Sequence, residues 1–282
     1  MREEVTSLLK IIPEGTYVDG TIGLGGHSNS ILSQLSEKGH LIGIDRDAQA
    51  LEICKKRTFT KHSNFSLLKG SYSSIQNILD QLGVLEVNGM LLDLGLSSFQ
   101  LDNPKRGFSF KRNGNLDMRF DNFQKISASD IVNKFSEKDI ADMIFFYGEE
   151  RRSRRIAKKI VQHRPMTTTF DLVEAIKKST PAKNRNKSIA RVFQAIRITV
   201  NDELKKLEEF LNVFCKRLCV GGRVVLISFH SLEDRMIKHR FRILEKQKEI
   251  RILTKKPLYP TELESRKNMR SRSAKLRAAE KI

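Results

Sequence analysis

Cysteine is scarce in this chain: Cys54, Cys215 and Cys219 are the only three among 282 residues. So sparse and odd a set excludes a disulfide framework and fits a reducing cytoplasm. Cys215 and Cys219 have a spacing that puts them on one helix face, but no matching Cys/His pair stands elsewhere, so no metal site is expected. A secretory signal is missing, and no apolar run reaches membrane-spanning length, so a membrane partner is not expected and the cytoplasm is the expected location. Internal repeats are lacking too. Acidic charge is short of balance: 52 Lys and Arg face 33 Asp and Glu, for a net charge of +19.

That excess is unevenly placed. Residues 1–103 hold 9 basic against 12 acidic side chains, residues 104–200 hold 22 against 10, and residues 201–282 hold 21 against 11. A slightly acidic first third followed by strongly basic remainder points to a polyanionic partner, with nucleic acid first among them. Basic residues that only keep the surface solvated are the plainer alternative.

What is present is a glycine turn, Val18–Ser28, between a strand-like approach with Tyr17 and Val18 and a helical spacing at Ile31, Leu32 and Leu35. Gly23, Gly25 and Gly26 let a ligand lie against the main chain. Ser28 stands where the dinucleotide fingerprint needs its third glycine, and the Gly-Lys-Ser/Thr ending of a P-loop is missing. Asp45 closes the next apolar run, 41–44, at 20 residues after Gly25. An acid there binds ribose hydroxyls in nucleotide-binding βαβ units, or else caps the next helix. Tyr72 follows a third strand at 65–69 and can stack on adenine or simply pack. A fourth strand, 90–94, carries Asp93 near its end and runs into Gly95–Gln100. Strands alternating with helices predict an α/β protein whose open parallel sheet gathers these residues at the strands' carboxyl ends.

The next comparably apolar strand comes only at 222–228, and the intervening residues carry helical patterns at 129–146, 149–163, 170–178 and 188–198. An inserted helical domain over 104–199 follows, within a ligand-binding domain made of 1–103 and 200–282. The insert is basic at Arg151-Arg152-Ser153-Arg154-Arg155 and again from Lys183 to Arg191. A helix is expected at 236–248 and a short strand at 250–253. The basic tail, 269–277, is expected to be mobile unless bound.

Asp19-x-x-x-Gly23-x-Gly25-Gly26, followed by Asp45 and Asp93, resembles the cofactor site of Rossmann-like class I methyltransferases, which use S-adenosylmethionine. The resemblance then narrows. Thr21–Ser28, Asp93–Ser98, Gln100–Asp102, Arg106–Phe110, Leu116–Arg119, Phe193–Ala195 with Asn201–Leu204, Ser228–Arg235 and Arg270–Arg277 are similar, in order, to the blocks of the ribosomal RNA small subunit methyltransferase H family. That resemblance implies S-adenosylmethionine-dependent methylation of the N4 amine of a cytidine in the decoding region of bacterial small-subunit (16S) rRNA. It implies a partner that is this rRNA, either naked or within an assembled or nearly assembled subunit. Carried over by motif, the cofactor contacts are Gly25, Gly26, His27, Asp45, Tyr72, Asp93 and Gln100.

The chain departs from the family in two places. A His-x-Pro-Val-Leu block usually precedes the first helix, whereas this sequence opens Met1-Arg2-Glu3-Glu4-Val5; and Phe99 replaces the proline after the paired serines. Ser97, Ser98 and Phe99 are candidates for holding the acceptor base, with no catalytic base identified. Attack through C5 of the base needs a cysteine, typically after proline, and the three cysteines follow Ile53, Phe214 and Leu218. His230 is a candidate base or phosphate contact, or a structural histidine; Ser231–Arg235 also reads as a helix start with Ser231 as cap and Asp234 as its acid. Arg106 and Arg235 are candidate phosphate contacts, or partners of Asp102 and Asp234. A methyltransferase of the same fold acting on a small molecule or protein, and a non-catalytic RNA-binding factor, are the competing classes.

Overall fold

The computed structural model describes residues 1–58 and 63–282. The chain divides into two compact units, one made of Met1–Gly95 with Leu204–Ile282 and the other of Leu96–Glu203.

The first unit begins with α1 (Arg2–Leu9), β1 (Thr16–Asp19), α2 (Gly26–Leu32), β2 (His40–Asp45), α3 (Ala48–Thr58), β3 (Phe65–Lys69), α4 (Ile75–Gln81) and β4 (Val87–Asp93). After the second unit it resumes with α11 (Glu203–Val213), β5 (Leu218–Ser228), α12 (Ser231–Lys246), β6 (Ile250–Ile252), α13 (Glu262–Lys267) and β7 (Lys275–Lys281). Seven strands form one sheet in the order β3-β2-β1-β4-β5-β7-β6. The first five are parallel, and β7 runs antiparallel between β5 and β6.

Central strands of a parallel sheet are covered on both faces, so their side chains are apolar without alternation. Met90, Leu91 and Leu92 of β4 are accordingly all buried. One face packs against Phe210, Phe214 and Phe241, and the other against Val5, Leu9, Ile31 and Leu32. The strand order reverses between β1 and β4, and in such sheets a crevice opens there at the carboxyl ends.

The second unit holds α5 (Ser98–Asp102), α6 (Ala128–Lys134), α7 (Glu137–Gly148), α8 (Ser153–Gln162), α9 (Thr169–Ser179) and α10 (Arg185–Asn201). Its own core joins Ile131, Ile140, Ile144, Ile156, Ile160, Leu172, Val192 and Ile196. Capping explains where its helices start: Ser127, Ser136 and Thr168 each accept the N–H of the aspartate three residues on.

Several sequence expectations are corrected. The pattern over 129–146 is two helices, because Ser136 caps a new one immediately after Phe135. Cys215 and Cys219 do not share a helix: Cys215 lies in a single tight turn and Cys219 in β5, which begins at Leu218. Residues 275–277 are no mobile tail but part of a strand paired on both sides, with Leu276 fully buried. The division between units falls at 95/96 and 203/204 rather than 103/104 and 199/200. Leu96 and Leu101 pack on the helical core, which draws the start of the segment into that unit.

Candidate functional site

In the sheet unit, the glycine turn leaves β1 at Asp19 and enters α2 at Gly26. Gly23 and Gly25 take φ of 51° and 80°, a left-handed conformation that a side chain would disfavour. The turn is tied to both neighbouring strands. Gly20 N–H donates to Leu91 O, and Ile22 N–H to Ile44 O. Gly23 N–H donates to Asp45 Oδ2 at 2.8 Å, while Asp47 N–H donates to Oδ1 at 2.9 Å. Asp45 thus sits at the mouth of the turn, and burial pushes its carboxyl above the usual carboxylate range.

Three side chains that lie within the sequence motifs but had no individual role complete this corner. Asp19 is 2 % exposed; its Oδ2 accepts the Ser28 hydroxyl at 2.6 Å and its Oδ1 the Thr21 N–H at 3.2 Å. Thr21 Oγ1 in turn accepts the Asp93 N–H at 2.6 Å. One acid therefore joins the end of β1, the start of α2 and, through Thr21, the end of β4. The signal was available: an aspartate closing a strand four residues before Gly23.

His27 and Asp93 face each other across the corner, Nε2 to Oδ2 3.6 Å. His27 Nδ1 and Asp93 Oδ1 are buried and have no hydrogen-bond partner among the described residues. Burial, followed by the charge of Asp19, pushes Asp93 up to about 7. Burial also raises Asp19 to about 6, against the Ser28 and Thr21 hydrogen bonds. His27 is lowered to about 4 by burial, then by nearby positive charge that includes Arg2, so its imidazole is neutral at neutral pH. Tyr72, after β3, sets its ring edge-on to Phe210 at 5.9 Å.

His230 and Arg235 belong to the same unit, at the end of β5. His230, not Ser231, caps α12, and Glu233, not Asp234, is the acid of the capping box. His230 Nδ1 accepts the Glu233 N–H, and its Nε2 lies 3.3 Å from Glu233 Oε1. Glu233 Oε2 accepts the Phe229 N–H. Asp234 instead pairs with Arg277 at 2.6 Å and Lys275 at 3.7 Å. Arg235 is exposed.

The remaining candidates lie in the helical unit. Ser97 caps α5 and Gln100 closes its box: Ser97 Oγ accepts the Gln100 N–H, and Gln100 Oε1 accepts the Ser97 N–H. Ser98 is exposed and Phe99 half-buried. Arg106 is corrected from a phosphate contact to an internal clamp. It is 5 % exposed, and its Nη2 donates to the carbonyls of Arg119 and Phe120, both at 2.9 Å. The same loop is held by Asn201, whose Nδ2 donates to Met118 O and whose Oδ1 accepts the Phe120 N–H. The blocks Arg106–Phe110, Leu116–Arg119 and Asn201–Leu204 thus meet to fix one loop.

The corner suits a cationic, ribose-bearing ligand. Its backbone turn is open to close approach, Asp19 and Asp45 accept from backbone N–H groups and the Ser28 hydroxyl, and two buried polar atoms await partners. Among the described residues, no helix is long and apolar enough to cross a membrane.

Comparison with known proteins agrees with that chemistry. Residues 1–282 match the MraW methylase family. A ribosomal RNA small subunit methyltransferase H from Caldicellulosiruptor saccharolyticus is 45% identical, over 99% of this chain and 97% of its own length. Its counterpart from Thermotoga neapolitana is 48% identical, over 100% and 95%. That from Trichormus variabilis is 46% identical, over 99% and 90%. The match leaves no part of the α/β sheet or its helical insert unaccounted for, so the chain belongs to the MraW methylase family, and its cofactor is S-adenosylmethionine.

Proposed function

We propose that the protein methylates the N4 amine of a cytidine in the decoding region of small-subunit rRNA. The whole-length relatives carry the name of a small-subunit rRNA methyltransferase, which supports the substrate class. The observation that carries the reading furthest is the unpaired Oδ1 of Asp93, buried two residues ahead of the Gly95–Phe99 segment. An acceptor without a donor at that point favours ligands that bring cationic or N–H character to it.

When bound, S-adenosylmethionine supplies an electrophilic methyl group on a sulfonium. In this reading Gly25, Gly26 and His27 lie along its methionine part, Asp45 accepts from the ribose hydroxyls, and Tyr72 and Asp93 bound the adenine side. Ser97, Ser98 and Phe99 orient the acceptor base, with oxygens accepting from the N4 amine so that its lone pair faces the methyl. The base must be unpaired or drawn from its stack to be reached. Rate then comes from in-line positioning rather than from a strong base. His230, held in the α12 cap, orients the end of β5, and Arg235 meets the RNA backbone. The helical insert, 104–199 with its flanking residues, recognises the RNA through cations such as Arg151, Arg154 and Arg155, all exposed.

The test is transfer of a labelled methyl group to naked small-subunit rRNA and to isolated small subunits, with the modified nucleoside identified by mass. N4-methylcytidine is the expected product. Label on a base carbon, a ribose or protein overturns the assignment, and the preferred acceptor decides between naked rRNA and assembled subunit.

A further inference from the structure

A second feature of the sheet unit lies away from the glycine turn. A cleft of about 190 Å³ opens between α12, β6 and β7. On α12 it is lined by Lys238, Phe241, Arg242 and Glu245, a one-face spacing of three, four and seven residues. Lys255 forms another part of the wall, and Arg277 of β7 completes the lining. Phe241 is 1 % exposed and makes an apolar floor.

The charges at the cleft do not cancel. Arg277 is answered by Asp234, and Glu245 already accepts the Ile252 N–H at 3.1 Å. Lys238, Arg242 and Lys255 have no hydrogen-bond or ion-pair partner among the described residues. The wall that carries Lys255 is fixed, because Thr254 Oγ1 accepts the Ala278 N–H at 2.9 Å and Thr254 is 6 % exposed. Cations that merely protect a sheet edge sit on the edge strand itself. These sit on the neighbouring helix and beyond the strand, gathered around a concavity. The volume equals about six waters at ~30 Å³ each, enough for a phosphate group and part of its sugar.

We propose that this cleft binds the backbone phosphates of the RNA substrate, outside the methyl-transfer site; the inference rests on the reading of the protein as an RNA methyltransferase. Lys238, Arg242 and Lys255 supply the charge, and Arg277, held by Asp234, keeps the floor from repelling it. The α12 part of the lining starts at Lys238, about 10 Å along the helix from Ser231, while Arg277 lies in register with Leu226, two residues from the end of β5.

The experiment measures binding of a small-subunit rRNA transcript to the full chain across salt concentrations. The triple variant Lys238→Ala, Arg242→Ala, Lys255→Ala is compared with a charge-matched control, Lys10→Ala, Lys55→Ala, Lys56→Ala. Each lost phosphate contact flattens the log–log slope by roughly 0.7–0.9, so the cleft variant loses about 2 from its slope and the control loses little. Cofactor affinity, measured by calorimetry, stays unchanged in both and reports intact folding. An unchanged slope in the cleft variant, with the unaltered protein binding normally, overturns the cleft alone. Equal losses in both triple variants overturn it as well, since net charge then suffices. Failure of the unaltered protein to bind RNA in a salt-dependent way overturns the RNA reading and the cleft together.

Discussion

The two units treat acidic side chains in opposite ways. At the ligand end of the sheet, Asp19, Asp45 and Asp93 are all pushed above the usual carboxylate range by burial. In the helical unit, Asp130 is drawn well below it, chiefly by the hydrogen bond from Lys134 and then by Ser127. Glu150, only 2 % exposed, is pushed up by burial, yet the Arg152 N–H, the Ser188 hydroxyl and Arg191 outweigh that and hold it low. The helical unit answers its acids internally and turns its cations outward. The sheet unit answers Asp19 and Asp45 with backbone and hydroxyl donors rather than cations, and leaves Asp93 Oδ1 without a donor where a ligand belongs. Unsatisfied negative potential in one unit suits a cationic cofactor; uncommitted positive charge in the other suits an anionic polymer.

The largest test of this division is Gly114→Ala, whose new Cβ would lie 1.8 Å from the Pro104 carbonyl oxygen. The helical unit is expected to lose about 3 kcal/mol in denaturant unfolding. RNA binding should weaken well before cofactor binding; equal loss of both breaks the division. Asp45→Ala comes next. Removing a buried, charged acceptor costs about 1.5–3 kcal/mol, so calorimetry should show roughly ten- to hundredfold weaker cofactor binding with the salt slope for RNA unchanged. Unchanged cofactor affinity removes Asp45 from the ribose role. Arg151→Gln with Arg154→Gln and Arg155→Gln should do the converse, flattening the RNA salt slope by about 2 and leaving the cofactor alone.

The smallest effect depends on pH. Asp93 titrates at about 7 in the fold against an ordinary 3.8. A carboxyl raised in this way favours the fold most at low pH, and the benefit is lost as pH rises through the folded value. Asp93→Asn should therefore raise the melting temperature of the cofactor-free protein at pH 8, by on the order of 2–4 °C for about 1 kcal/mol. The gain should be clearly smaller at pH 5 and vanish only below the ordinary 3.8, where the carboxyl is protonated in the folded and the unfolded chain alike. A gain that is equal at both pH values sinks the account of Asp93 as a desolvated acid.

The parallel sheet was legible because buried central strands read as apolar runs, as at 41–44 and 90–94, and because Asp45 and Asp93 close them. The glycine turn and Asp45 were legible by spacing, since a turn and the acid of the next strand are local features, whereas His27 entered only through the family resemblance. Arg106 was misjudged because a sequence shows a charge without showing which carbonyls curl around it. The cap of α12 was placed one residue late because histidine is an uncommon cap, and Ser231 is a better one by type. The 275–277 strand was hidden by its basic residues: Lys275 and Arg277 both answer Asp234, a partner more than 40 residues away.

Placement of β7 between β5 and β6 has a consequence for synthesis. The helical unit is one continuous stretch and can close its core once Glu203 is free of the ribosome. The sheet cannot: its interior waits for Lys275–Lys281, about 70 residues later. At about 5–20 residues per second that is a delay of roughly 4–14 s. During it β5 presents a bare edge, Asp234 lacks Arg277, and the nascent chain has its outward-facing cations before its finished sheet. Such a chain meets polyanions before its cofactor site rests on a completed sheet.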